Sequence, residues 1–139
     1  LIDLESYAEV YPTHTRSLQV DTSFFASNLD DSSVFQIRLA AFSQVPHEVR
    51  PIWNDSEVLF DQVLQHVGRN HITKPGQDSE WHKLGASIEI PPGTRSVVIS
   101  LGAGMVDSNA DKSNHYLDDV RVSLVDSPRT TYADNLNKP

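Results

Sequence analysis

The segment DSNADKSNHYLDDVRV, residues 107–122, combines carboxylate and amide side chains that could bind a hard cation. Asp107, Asn109 and Asp111 are spaced like the first oxygen ligands of a calcium loop, and Asp118 follows eleven residues after Asp107. Calcium takes about six to eight oxygen ligands at roughly 2.3–2.6 Å. The segment is therefore either a calcium site or a solvated turn that leads into a strand.

An EF-hand is excluded by two positions and by the flanking segments. The helix–loop–helix template needs glycine at its sixth position and a bidentate glutamate at its twelfth, where this chain has Lys112 and Asp118. The flanks have the alternation of strands rather than the periodicity of helices. For the loop itself, a solvated turn is favoured over an independent ion site.

Asp118 is a separate candidate because of its position in the following strand. In HYLDDVRVSLV, residues 115–125, the alternation places Val120, Val122 and Leu124 inward, and the same phase carries Asp118 inward. An unpaired buried charge is costly, so an inward carboxylate needs a cation or hydrogen bonds. Asp118 is then either a ligand of a cation or a metal-free cap for backbone N–H groups of a neighbouring loop.

Trp53 is the best candidate for contact with a ligand. It lies in RPIWNDS, residues 50–56, which we interpret as a loop because of its proline, asparagine and aspartate residues. An exposed indole can stack on a pyranose ring, and Arg50 and Asp55 could bind the hydroxyl groups. The alternative is that Trp53 packs over the edge of the fold as a lid.

Other chemistry finds no support in the sequence. The six histidines are scattered without an HExxH motif, and no G-x-S-x-G or glycine-rich phosphate loop followed by a helix occurs. The chain has no cysteine, which excludes thiolate catalysis and disulfides. We therefore predict a protein that is not an enzyme.

Size and charge narrow the classes of partner. The 139 residues suffice for one domain, predicted over 1–126, with 127–139 as a polar linker or disordered tail. A net charge of −8, from 19 acidic and 11 basic residues, disfavours nucleic acid and anionic membranes. No apolar run is long enough for membrane insertion. The chain begins with Leu1, which indicates a processed or excised part of a longer protein.

Most of the chain has the period-2 alternation of half-buried strands. The exception is 54–70, where Phe60, Val63, Leu64 and Val67 favour one short helix near 55–67, capped by Asp55 or Ser56, over a strand. Trp81 opens an amphipathic strand and is predicted to lie in the core. The predicted strands are 4–12, 17–27, 34–42, 81–90, 95–104 and 115–125. This pattern predicts an all-β, antiparallel two-sheet β-sandwich.

The C-terminal half carries a resemblance to a known family. WHKLGASIEIPPGTRSVVISLGAG, residues 81–104, followed by an Asp/Asn-rich loop and HYLDDVRVSLV, resembles the galactose-binding-like jelly rolls. It is similar in particular to the carbohydrate-binding modules of xylanases and glucanases. The resemblance covers roughly residues 15–125, and its most specific motif is YLDDV.

The resemblance implies a function and a metal site. It implies a non-catalytic carbohydrate-binding module of a larger extracytoplasmic protein, at the cell surface, in the periplasm or outside the cell. It also implies that Asp118 and Glu5 hold a structural calcium. The partners would be a glycan or neighbouring domains of the same polypeptide. The second hypothesis is a structural or protein-interaction sandwich without a sugar site, and the third is a jelly-roll hydrolase or lyase.

Overall fold

A computed structural model of the protein describes residues 1–4, 14–26, 32–74, 80–106 and 114–128. Strands make up most of these residues, and two short helices lie between the third and fourth strands. The elements are β1 (Ile2–Asp3), β2 (His14–Ala26), β3 (Ser33–Phe42), α1 (Pro46–Trp53), α2 (Ser56–Gln62), β4 (Val63–Ile72), β5 (His82–Ile90), β6 (Ser96–Met105) and β7 (His115–Pro128).

The strands form two antiparallel sheets, which confirms the prediction of an all-β two-sheet sandwich. One sheet has four strands in the order β1-β6-β3-β4, and the other has three strands in the order β5-β2-β7. Residues 5–12 of the predicted first strand and residues 129–139 of the predicted tail lie outside the described residues. The last strand continues to Pro128, two residues beyond the predicted domain end.

The core lies between the sheets and consists of alternate residues from their inner faces. Phe24 of β2 and Phe35 of β3 stack across the interface with ring centroids 4.8 Å apart. Burying one side chain of this kind contributes about 1.5–3 kcal/mol. The alternation predicts the inward face correctly for several of the most deeply buried residues, among them Leu18, Val20, Phe24, Phe35, Ile37, Leu39 and Ile88.

The segment between β3 and β4 differs from the prediction. Residues 50–53 belong to the helix α1 and not to a loop, and the predicted helix near 55–67 ends at Gln62. Val67 lies in β4 opposite Leu39, and Phe60, predicted on the apolar helix face, is 65% exposed. Pairing with β3 satisfies the backbone groups of residues 63–72, and this tertiary contact outweighs the local helical periodicity.

The two helices pack on the outer face of the four-stranded sheet and create a second, smaller hydrophobic cluster there. Ala40, Phe42, Val49 and Val98 are buried in it, and Trp53 is half-buried against it. The helices therefore form a wall along one end of this face. No helix in the described ranges is long and apolar enough to cross a membrane.

Candidate functional site

A groove of about 640 Å³ lies on the outer face of the four-stranded sheet, beside the helices. Its floor comes from the outward residues of β3 and β4 and from one residue of β6. Neighbouring strands are about 4.8 Å apart, and successive outward residues of a strand are about 7 Å apart. Across β4, β3 and β6, the residues that face outward form the rows Asn70–Gln36–Gly102, Gly68–Arg38–Ser100 and His66–Ala40–Val98.

The wall of the groove is aromatic and comes from the two helices. Trp53, at the C-terminal end of α1, lines the groove, as does Phe60 of α2. The Phe60 ring meets the His66 imidazole edge-on, with centroids 6.0 Å apart. Apolar rings therefore stand next to a floor that carries polar side chains.

The floor is open because small residues alternate with the polar ones. Gly68 lies in β4 directly opposite Arg38, and a Cβ added at Gly68 would meet no atom within 4 Å. The same holds for Gly102 and Gly104 on β6, and none of the three has a positive φ. The missing side chains therefore provide space above the sheet and relieve no backbone strain.

The polar groups of the groove are neutral or cationic. Gln36 donates a hydrogen bond from Nε2 to Asn70 Oδ1 at 2.8 Å. Arg38 is exposed, and no carboxylate in the described ranges forms an ion pair with it. Although the chain has 19 acidic residues, none of the described residues that line the groove is aspartate or glutamate.

The structure brings the three predicted ligand residues only partly together. Trp53 lines the groove and also a smaller recess of about 240 Å³, which Arg50 lines as well. Asp55 lines neither space. Its Oδ1 accepts hydrogen bonds from the backbone N–H groups of Glu57 and Val58, at 3.1 and 3.3 Å, and so caps α2 as the sequence predicts.

The prediction that Asp118 faces inward is wrong. Asp118 is exposed and lies opposite Ser23 on the outer face of the three-stranded sheet. The register shifts between Asp21 and Ser23, because β7 has an extra residue there and Asp119 takes a φ of 51°. Such a β-bulge reverses the phase of the alternation, so counting back from Val122 put Asp118 on the wrong side.

The metal hypothesis remains a prediction. Asp118 Oδ1 accepts a hydrogen bond from the backbone N–H of Asp119 at 2.7 Å. Glu5 and the loop residues Asp107, Asn109 and Asp111 lie outside the described residues. Within the described ranges, no three His, Cys, Asp or Glu side chains converge.

A row of three aromatic side chains lies on the outer face of the three-stranded sheet. The Phe25 ring is 5.5 Å from Trp81 and 6.0 Å from Tyr116, between centroids. Trp81 is 50% exposed and Tyr116 is 51% exposed, so the prediction that Trp81 lies in the core is wrong. Trp81 precedes β5, and the alternation that places Leu84 and Ala86 inward places residue 81 outward.

Two histidines lie near the ends of the core. The His71 and His82 rings approach to 4.8 Å between β4 and β5, and burial together with the His82 charge lowers the pKa of His71 below 6.5. His115 Nε2 is 3.1 Å from Ser33 Oγ, and burial lowers the pKa of His115. The imidazoles of His71 and His115 therefore favour the neutral form more in the folded protein than in the unfolded chain.

The fold and the groove define a class: an antiparallel two-sheet β-sandwich with a ligand-sized groove on one outer face. Comparison of the chain with protein-family models, curated proteins and solved structures finds no match. The geometry of the groove is therefore the best indication of function. Most of the residues in the floor of the groove were not identified from the sequence. The signal that could have indicated them is the alternation of β3, which places Gln36, Arg38 and Ala40 on the outer face.

Proposed function

We propose that this chain is a non-catalytic glycan-binding module of a larger extracytoplasmic protein, and that it holds a sugar in the groove. The observation that carries the proposal is the juxtaposition of an aromatic wall with an open floor of small and hydrogen-bonding side chains. The resemblance of residues 15–125 to carbohydrate-binding modules supports the same class.

The chemistry of the groove fits the two faces of a sugar. The C–H bonds of a pyranose can stack on Trp53 or Phe60, which present aromatic surface at the wall. The amides of Gln36, Asn70 and Asn54 offer donors and acceptors for hydroxyl groups. A concave, partly apolar site with a few polar groups is the usual form of a small-ligand site.

The same lining supports binding without hydrolysis. Glycoside hydrolysis ordinarily needs a pair of carboxyl groups on either side of the scissile bond. The described lining of the groove contains no carboxylate. The proposal therefore assigns the groove to recognition, and any chemistry to other domains of the parent protein.

Affinity electrophoresis against a panel of polysaccharides tests the proposal, followed by calorimetry with oligosaccharides of each polymer that retards the protein. Gly68→Leu places a side chain over the centre of the groove and should reduce affinity at least about tenfold. Gly104→Leu is the matched control, because Gly104 also has open space on β6 but does not line the groove. If Gly68→Leu and Gly104→Leu bind the oligosaccharides equally well, the groove is not the binding site.

The second candidate is a structural or protein-interaction sandwich, and the exposed aromatic row of Phe25, Trp81 and Tyr116 favours it. Exposed aromatic side chains are enriched at protein interfaces. Failure to bind any polysaccharide, with capture of a neighbouring domain of the parent protein that Trp81→Ala abolishes, would establish this candidate instead. Release of reducing sugar from any polysaccharide of the panel would instead support the third hypothesis, a hydrolase.

A further inference from the structure

The charge of the groove lining is opposite in sign to the net charge of the protein. The chain carries a net charge of −8, yet the described lining of the groove has no acidic residue and one permanent cation, Arg38. A neutral sugar does not require this arrangement, because carboxylates are good acceptors for hydroxyl groups. The absence of acids next to a cation favours a ligand that carries negative charge.

Arg38 is placed so that its guanidinium can be reached from the groove. It lies in the middle strand of the floor, and its cross-strand neighbours are Gly68 and Ser100. Neither neighbour is large enough to cover it, and Arg38 is exposed. No described carboxylate pairs with it, so its planar set of donors remains available to a ligand.

We infer that the groove recognises a carboxylated sugar, a uronic acid residue of an acidic glycan, with Arg38 as the residue that binds the carboxylate. This inference rests on the proposed function and specifies its ligand. The guanidinium fork matches the two oxygens of a carboxylate. Gln36 and Asn70 lie one row away and can bind the hydroxyl groups of the same ring, while Trp53 and Phe60 offer the stacking surface.

The overall charge argues for a local contact rather than a general attraction to polyanions. A net charge of −8 repels a polyanion at long range. At about 0.15 M salt the Debye length is about 8 Å, so this repulsion is screened while a direct contact with Arg38 is largely kept. Selection for the carboxylate should therefore be visible at physiological salt.

The test measures binding by calorimetry at about 0.15 M salt with matched oligosaccharides. Oligogalacturonate, oligomannuronate and glucuronoxylan oligosaccharides are each compared with the methyl ester of the same oligosaccharide, which removes the charge and keeps the shape. We expect at least one acid to bind about 10- to 100-fold more tightly than its ester, as one charge-assisted bidentate contact implies. Arg38→Gln should remove this preference, and Arg38→Lys should restore only part of it.

The outcomes separate this inference from the proposed function. Equal affinity for acid and ester, unchanged in Arg38→Gln, would overturn the inference while leaving a glycan-binding groove. Binding of sulfated oligosaccharides alone would also overturn it. If no oligosaccharide and no polysaccharide of the panel binds, the proposed function fails as well. Circular dichroism of the Arg38 variants checks that they fold, which the exposure of Arg38 leads us to expect.

Discussion

The outer faces of the two sheets are built from similar strands but have different surfaces. The face of the four-stranded sheet has a groove with helices at one end, and its described lining contains no carboxylate. On the face of the three-stranded sheet, the aromatic row at Phe25 is followed along β2 by the outward residues Ser23 and Asp21. There, Asp21 lies opposite Arg121 of β7 in the register, and Arg121 forms an ion pair with Asp119 at 2.9 Å.

The difference comes from one connection. Residues 43–62 join β3 to β4, fold into two helices and pack on the four-stranded sheet around Phe42 and Val49. A twisted sheet alone offers little concave surface, whereas a sheet with a wall along one end encloses a volume. The groove is therefore a property of this connection, and the strands supply its floor.

The largest effect is expected when the side chain that packs the two helices against the sheet is truncated. Phe42 is 0% exposed under the helices, so Phe42→Ala should lower the free energy of unfolding by about 3–5 kcal/mol. Urea denaturation measures this loss. If the helices were only loosely attached, the variant would lose less than about 1 kcal/mol, and the proposed origin of the groove would be wrong.

Trp81→Ala provides the contrast on the other face, with a smaller expected loss. Trp81 is half-exposed and contacts Phe25 at 5.5 Å, and an aromatic pair of this kind contributes about 0.5–1.5 kcal/mol. Thermal denaturation should show a shift of a few degrees, given about 2–8 °C per kcal/mol. Glycan affinity should be unchanged. Loss of glycan binding in Trp81→Ala but not in Gly68→Leu would place the glycan site on the three-stranded sheet and not in the groove.

Stability should fall with decreasing pH because of the histidines between the sheets. Burial and then the neighbouring His82 lower the pKa of His71 below 6.5, and burial lowers that of His115. Well above pH 6.5 these groups are largely unprotonated in both the folded and the unfolded state. Below it the unfolded chain binds protons that the folded protein does not, so the free energy of unfolding decreases.

Urea denaturation between about pH 8 and pH 5 measures this slope before most carboxylates titrate. His71→Gln should reduce the slope and leave the share that belongs to His115. His82→Gln should also reduce it, because it removes the neighbouring charge that disfavours protonation of His71. A slope that is the same in His71→Gln and wild type would contradict the assignment to His71.

The smallest effect is expected at Asp118. Asp118→Ala removes one exposed hydrogen bond to the N–H of Asp119 and should cost no more than about 1 kcal/mol. The calcium hypothesis predicts more. A structural ion held by Asp118 and Glu5 would add about 2.7 kcal/mol at a hundredfold excess over Kd, so a chelator would lower the melting temperature of wild type but not of Asp118→Ala. A chelator without effect on wild type would end that hypothesis.

The sequence predicts strands and faces where each residue's position follows from its neighbours along the chain. In β2, β3 and β5 the period-2 pattern identifies the inward side chains, among them Val20, Ile37 and Ile88. It predicts the cap at Asp55 for the same reason, because a cap needs only the next few backbone N–H groups. It fails in β7, where one extra residue at the bulge reverses the phase and moves Asp118 to the outer face.

By itself, the sequence thus determined the all-β class, the two-sheet arrangement and the inner faces of the regular strands, since alternation is a local property. Tertiary structure alone decided that residues 63–72 form a strand, because pairing with β3 outweighs a helical pattern. The tertiary structure also creates the groove. Gln36, Gly68 and Ser100 are far apart in the chain and become neighbours only through sheet register, and Trp53 joins them only because the helices fold onto that face.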